Sequence, residues 1–453
     1  MEEVFPALLI GLLGAALFLA IGSRYTTREL VLLLPAYATH VVAGFVQVLI
    51  TLNLYGSGDL FGYARRGEEL AAALAVNFQD VGWELVKLLF QQEAYLPISI
   101  TGIGSSTGSM TAIAAFIAYL TGSSVYAACV LLGVCGFFGK LLMYEVFRES
   151  FPVELHRRLL IANMLVPSVV FWSSGLLKES VAIVGLGVVI LGMHRVLSGK
   201  AFLGFLLLIF GSITIGLVKA YILFAFVIAA GAWIYAARAW RGGSPRVRPL
   251  HLVLALGVAL AGVVALGSLF PQYAVESLAD QAALHQEIGN KVRGGSTYAL
   301  IDEASETGAG VQLLYAPAAL LTSLYRPLLF ESSNAQVLIN ALETTTLLLM
   351  SLWVIARVRL RVLWATIAES PIMMFCVVFV VVFGTAVGLT STNLGTLSRY
   401  RVPLVPLFAS LLVVFLSARQ RIAARPTAPG LATVLPPPVP SRPRARGLPR
   451  AAN

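Results

Sequence analysis

The stretch VAIVGLGVVILGM, residues 181–193, has no polar side chain on any face of a helix. With flanking residues it belongs to an apolar run over 176–197. At 1.5 Å per residue, about twenty such residues cross the roughly 30 Å hydrocarbon core of a bilayer. Residues 402–416 repeat the pattern. A barrel strand would alternate polar and apolar positions in segments of about ten, so the spanning elements are helices.

Working outward, further runs fall near 4–22, 30–52, 124–147, 158–172, 201–218, 220–237, 250–270, 335–356 and 372–390. Two shorter runs, 107–121 and 311–330, fit either a span or a re-entrant or interfacial helix. The expected fold is an all-α integral membrane protein with about 11–13 transmembrane helices and re-entrant or interfacial helices on the outer face. Composition agrees: 58% of the 453 residues are hydrophobic and 12% charged, against about 25% charged in soluble domains. Mean hydropathy is +0.85.

The net charge of +10 does not point to nucleic acid, because the cations sit in short connections between runs. Arg24 and Arg28, Arg148, Arg157 and Arg158, Arg195 and Lys200, Arg238 to Arg248, and Arg357 to Arg361 mark cytoplasmic loops by the positive-inside bias. The first run follows Glu2 and Glu3 and not a basic stretch, so it reads as a retained helix. If the two short segments do not cross, eleven spans put every basic connection on one side, with the N-terminus outside. Residues 1–418 then form one polytopic domain with outer loops at 53–106 and 271–334. Residues 419–453, rich in Pro and Arg, read as a disordered cytoplasmic tail. Within the first outer loop, FQDVGWELVKLLFQQ (78–92) aligns Val81, Leu85, Leu88 and Leu89 on one helical face, with Trp83 at interface depth.

Charges beside lipid are costly and therefore informative. In YGSGDLFGYARRGEEL (55–70), Asp59 stands among glycines ahead of Tyr63; it is suited both to a general base and to capping a helix at 60–74. PSVVFWSSGLLKES (167–180) breaks two apolar runs with Trp172, Lys178 and Glu179. Lys178 suits a phosphate, or else pairs with Glu179 or snorkels outward. LYRPLLFESSNAQVLINALE (324–343) supplies Arg326, Glu331 and the intramembrane Glu343, for which Arg326 or Lys219 is the expected partner. STNLGTLSRYRVPLVPLF (391–408) brings Arg399 and Arg401 to an outer helix end, against the charge bias, with forked donors that match phosphate.

Other chemistries lack their residues. No nucleotide-binding P-loop is present. The five histidines are dispersed, and Cys129, Cys135 and Cys376 lie inside apolar runs without metal-ligand spacing. Neither a cofactor nor a metal set is expected; a divalent ion is compatible with the residues but not indicated. Gly133, Gly136 and Gly139 form a helical stripe suited to close packing.

Gly58, Asp59 and Tyr63, the FWSSGLLKE core within 167–179, Tyr325 to Glu331, and SRYRVPLVP at 398–406 together resemble the GT-C class of polytopic glycosyltransferases and the Wzy-type polysaccharide polymerases. The resemblance implies Asp59 as catalytic base and Lys178, Arg326, Arg399 and Arg401 as holders of a lipid-linked phosphate, with Tyr63, Trp172, Glu179 and Glu331 alongside. Gly58–Asp59 stands where many members carry paired acids. The function it implies is transfer of a sugar or glycan from a polyprenyl phosphate or pyrophosphate donor at the outer face of a bacterial cytoplasmic membrane, beside other polysaccharide-assembly proteins. The alternative is a transporter or flippase for an anionic lipid-linked glycan, which uses the same cations without a base.

Overall fold

The computed structural model describes residues 3–56, 58–241, 253, 256, 257, 261, 314–332, 334–391 and 393–423. Among them the chain is helical and has no strand. The helices are α1 (Phe5–Gly22), α2 (Thr27–Ile50, continued by a π turn over Thr51–Tyr55), α3 (Asp59–Val76), α4 (Phe78–Leu89), α5 (Ser106–Thr121), α6 (Val125–Ser150), α7 (Val153–Met164), α8 (Pro167–Trp172), α9 (Lys178–Leu197), α10 (Ala201–Lys219) and α11 (Tyr221–Arg241). After the undescribed stretch follow α12 (Ala316–Tyr325), α13 (Ala335–Arg357), α14 (Leu360–Ala368), α15 (Pro371–Thr390), α16 (Leu394–Tyr400) and α17 (Val405–Ala423).

Eight described helices are long and apolar enough to span a membrane, namely α1, α2, α6, α9, α10, α11, α13 and α15. A ninth span results if α16 and α17, bent by 72°, are taken as one. The protein is an all-α, multi-pass membrane protein. The expected span at 158–172 is instead split into α7 and α8. Pro167 lacks the amide hydrogen that would continue α7, and it opens α8 at the position where its fixed φ is tolerated. The two ambiguous runs become α5 and α12; even α5, at 16 residues, reaches only about 24 Å. The expected span at 250–270, the basic residues Arg246 and Arg248, and most of the loop at 271–334 lie outside the described residues. Helix α17 extends to Ala423, past the expected start of the tail, and 424–453 are likewise outside.

Glycine sets the helix spacing. A Cβ on Gly187 of α9 would lie 1.9 Å from the carbonyl oxygen of Gly139 on α6. Between α9 and α10, Gly185 and Gly192 face Gly211 and Gly204, so small residues let the backbones meet without a hydrophobic drive. Gly133 and Gly136 lie against His40 of α2 and Ser173, as the stripe implied. Gly187→Ala is expected to destabilise the fold by about 1–3 kcal/mol through overpacking, read as a lowered unfolding midpoint of the purified protein in detergent.

At one end of the bundle the basic connections are tied together. Arg148 donates to Glu29 and to the Arg24 carbonyl, and Arg195 pairs with Glu149. At the other end α3, α4 and α5 form a cap. The α4 face of Leu85 and Leu88, with Val81 and Leu89, packs on Leu70, Leu74, Ala112 and Ala115, while Trp83 stays 62% exposed. The amphipathic helix is where the sequence places it, but its apolar face covers protein and not lipid.

Candidate functional site

The helices starting or ending at the capped end of the bundle supply one cluster of charges. Asp59 opens α3 after two glycines, Gly56 at φ +64° and Gly58 at φ +146°, conformations that exact a steric cost from any other residue. The carboxylate is not a helix cap: it accepts from Arg399 Nη1 at 2.7 Å and is 53% exposed. Arg399 reaches it from α16, a short helix capped by Asn393, whose side chain accepts from the Gly395 and Thr396 amides. Pro403 and Pro406 cannot continue that helix and accompany the bend.

The Nε of Arg399 lies 2.8 Å from Glu179 Oε1, in the first turn of α9, where a carboxylate complements the helix dipole. The same oxygen accepts from Lys219 Nζ, at the end of α10, at 2.6 Å. Lys219 lies 4.4 Å from the centre of the Tyr400 ring and 5.8 Å from that of Tyr221. The Arg399 guanidinium stands 5.8 Å from the Trp172 ring, contributed by the end of α8. Asp59, Arg399, Glu179 and Lys219 thus form a chain of alternating charge across four helices.

Lys178 stands beside this chain on different terms. Its Nζ donates to Ser106 Oγ and Thr107 Oγ1, both at 3.0 Å, at the start of α5. Among the described residues no carboxylate is within 4.0 Å of it. It neither pairs with Glu179 nor snorkels away. Tyr63, on α3, is 6% exposed and lies near Thr107. Burial raises its phenol well above the usual range and the Asp59 charge adds to the effect, so it remains a proton donor at neutral pH.

A second group lies next to the first. Arg326 donates to Glu331, whose other oxygen accepts from the Leu328 amide at 2.7 Å. Burial works against the Glu331 charge, but these bonds and the Arg326 charge outweigh it and hold the carboxyl below its usual range. Arg401 is 1% exposed, donates to the Arg326 carbonyl at 2.6 Å and lies 3.7 Å from Glu343. Glu343 accepts from both the hydroxyl and the amide of Ser168, at 2.6 and 2.9 Å. Its partners are therefore Ser168 and Arg401, not the expected Arg326 or Lys219: the α8 break exposes a free amide at Ser168, which a carboxylate satisfies. This group joins α8, which ends in Trp172, to the bend that carries Arg399.

The structure brings together Asp59, Tyr63, Trp172, Lys178, Glu179 and Arg399, and sets Arg326, Glu331 and Arg401 in the neighbouring group. Sequence reasoning missed Ser106, Thr107, Tyr221 and Tyr400, and it named Lys219 only as a partner for Glu343. A lysine ending an apolar run on the side opposite the basic loops is the signal that was present for Lys219. The hydroxyls carried none, because serine and threonine occur at helix starts throughout. Among the described residues no group of three or more His, Cys, Asp or Glu is placed to hold a metal ion. No family model matches the chain, and comparison with curated proteins and with solved structures gives no match.

Proposed function

We propose that this protein is a membrane glycosyltransferase or polysaccharide polymerase that takes a sugar or glycan from a polyprenyl phosphate or pyrophosphate carrier at the outer face of a bacterial cytoplasmic membrane. The observation that carries the reading is Lys178. It is an ammonium with no carboxylate within 4.0 Å among the described residues, held by two hydroxyls beside a half-exposed Asp59. A cation kept in that state in a poorly hydrated bundle favours a phosphate oxygen. A carboxylate next to it has the chemistry to take the proton of an acceptor hydroxyl. The carrier tail has lipid on every side of such a bundle, and other polysaccharide-assembly proteins are the natural partners.

Deletion of the gene is expected to change the pool of lipid-linked saccharides. Complete repeat units accumulating on carrier lipid mean a polymerase, and a pool stopped one sugar short means a transferase. An unchanged pool counts against both. Lys178→Met is expected to reproduce the deletion, lowering transfer by about 10²-fold or more through loss of one phosphate-stabilising group, whereas Lys178→Arg restores part of it. The measurement is transfer from labelled carrier-linked saccharide in reconstituted vesicles.

A further inference from the structure

At the basic end of the bundle two arginines are answered by the protein's own acids: Arg148 pairs with Glu29 and Glu145, and Arg195 with Glu149. The connection from α13 to α15 is different. Arg357 ends α13, Arg359 directly precedes α14 and Arg361 lies in its first turn, and all three are exposed. Among the described residues no carboxylate lies within 4.0 Å of any of them. Glu369, the acid nearest in sequence, is eight residues beyond Arg361, about 12 Å along a helix. Residues 242–275 and 424–453, which continue the chain from α11 and α17, contain no acid at all.

Helix α14 has nine residues, about 14 Å, and is too short to cross a bilayer. Both of its ends join spans at the same end of the bundle, so it lies along the membrane surface. One face packs inward: Val362 and Leu363 meet the main core, and Ile367 meets Ala232, Ala236 and Met374. The other face carries Leu360, 80% exposed, and Trp364, 44% exposed, one turn apart with Arg361 between them. The exposed Trp353 and Ile355 carry the same apolar surface back along α13. A helix facing water gains nothing from large apolar side chains beside its cations, whereas a helix at headgroup depth uses both. The positive-inside bias accounts for the side on which the arginines fall but not for this pairing. Nor do Arg359 and Arg361 serve α14 itself, because a cation beside the first turn opposes the helix dipole.

We infer that this surface is a docking site for anionic phospholipid in the leaflet at the basic end of the bundle. Leu360 and Trp364 enter the acyl boundary, and Arg357, Arg359 and Arg361 meet the headgroups, whose phosphate oxygens match the forked guanidinium donors. A zwitterionic lipid offers the same phosphate but brings its own cation, so the three unanswered charges select lipids with net negative charge. Lipid is favoured over an acidic protein as the occupant because Leu360 and Trp364 continue the exposed apolar surface of a membrane span. The inference is independent of what the opposite end of the bundle catalyses.

The test places a fluorophore on Leu360→Cys, an exposed position, whereas the native cysteines are buried or half-buried. The full-length protein is reconstituted in phosphatidylcholine vesicles containing a minor fraction of brominated lipid as quencher. Brominated phosphatidylglycerol is expected to quench at least about threefold more than brominated phosphatidylcholine, with the preference lost at high salt. The same label on Leu12→Cys, on the exposed face of α1, is expected to be quenched equally by the two lipids. Arg357→Gln, Arg359→Gln and Arg361→Gln together are expected to abolish the preference at position 360 and leave quenching by phosphatidylcholine unchanged, which shows that α14 keeps its place. The same three positions changed to Lys keep the charge and are expected to keep at least half of the preference. Equal quenching by the two lipids at position 360 overturns the inference. So does a preference that survives the Gln changes, disappears with the Lys changes, or is equally large at position 12. Strong quenching by aqueous iodide with little by either lipid also overturns it, and marks the surface as one for an acidic protein partner.

Discussion

Asp59→Asn is expected to lower the proposed sugar transfer by about 10²–10⁴-fold, as for loss of a general base, while the variant still binds carrier-linked donor. The asparagine side chain still offers an oxygen to Arg399, so the α3 start and the α16 end stay joined. The ability to take a proton is lost, together with the negative charge that faces Arg399. The expected kinetic signature is a fall in kcat without a matching rise in KM, because an interaction made only in the transition state has been removed. The measurement is single-turnover transfer in reconstituted vesicles, with donor binding measured in parallel. Undiminished transfer would sink the assignment of Asp59. Undiminished translocation of a lipid-linked glycan, with no transfer by wild type, would mark the protein as a transporter that uses the same cations.

The membrane character was legible in the sequence because lipid acts on every face of a span, and residues such as 181–193 answer with apolarity all round. The splitting of 158–172 was less legible. Its residues are apolar enough to span, and only Pro167 records the break, which becomes definite when Glu343, 175 residues further along the chain, fills the open amide of Ser168. Most of the polar cluster was found because charge near lipid is rare and stands out one residue at a time. Its wiring was not legible. Pairing of Glu179 with its neighbour Lys178 was one of the readings the sequence left open, but adjacent residues on a helix do not face each other. The α9 start turns Glu179 inward to Lys219 and Arg399, and leaves Lys178 to the hydroxyls of α5. Arg401 likewise resembled Arg399 in sequence, yet it lies past the end of α16. The bend there buries it against Arg326 and Glu343, where it holds the site's framework and not its opening.

Glu179→Gln is expected to be the most destabilising single change in the cluster, by about 3–5 kcal/mol, the cost of removing one partner from a buried ion pair. The carboxylate is 1% exposed, and one of its oxygens serves both Lys219, at 2.6 Å, and Arg399, at 2.8 Å. A neutral side chain leaves two cations from α10 and α16 converging on a point where water does not compensate them. The amide hydrogens of glutamine add a donor where only acceptors are useful. Asp59 still matches Arg399, so the burden falls on Lys219, which among the described residues is left with the faces of Tyr221 and Tyr400. Stacking of this kind is worth about 0.5–2 kcal/mol, too little to replace a buried carboxylate. The double variant Glu179→Gln, Lys219→Met removes the stranded charge and keeps an unbranched apolar stem in its place. It is expected to recover at least half of the lost stability, measured as the unfolding midpoint in detergent, because charges removed together do not incur the cost of charges left alone. Additive losses in the double variant would mean that Lys219 is stabilised by something other than Glu179. The alternating chain Asp59–Arg399–Glu179–Lys219 would then cease to explain why four helices meet at this point.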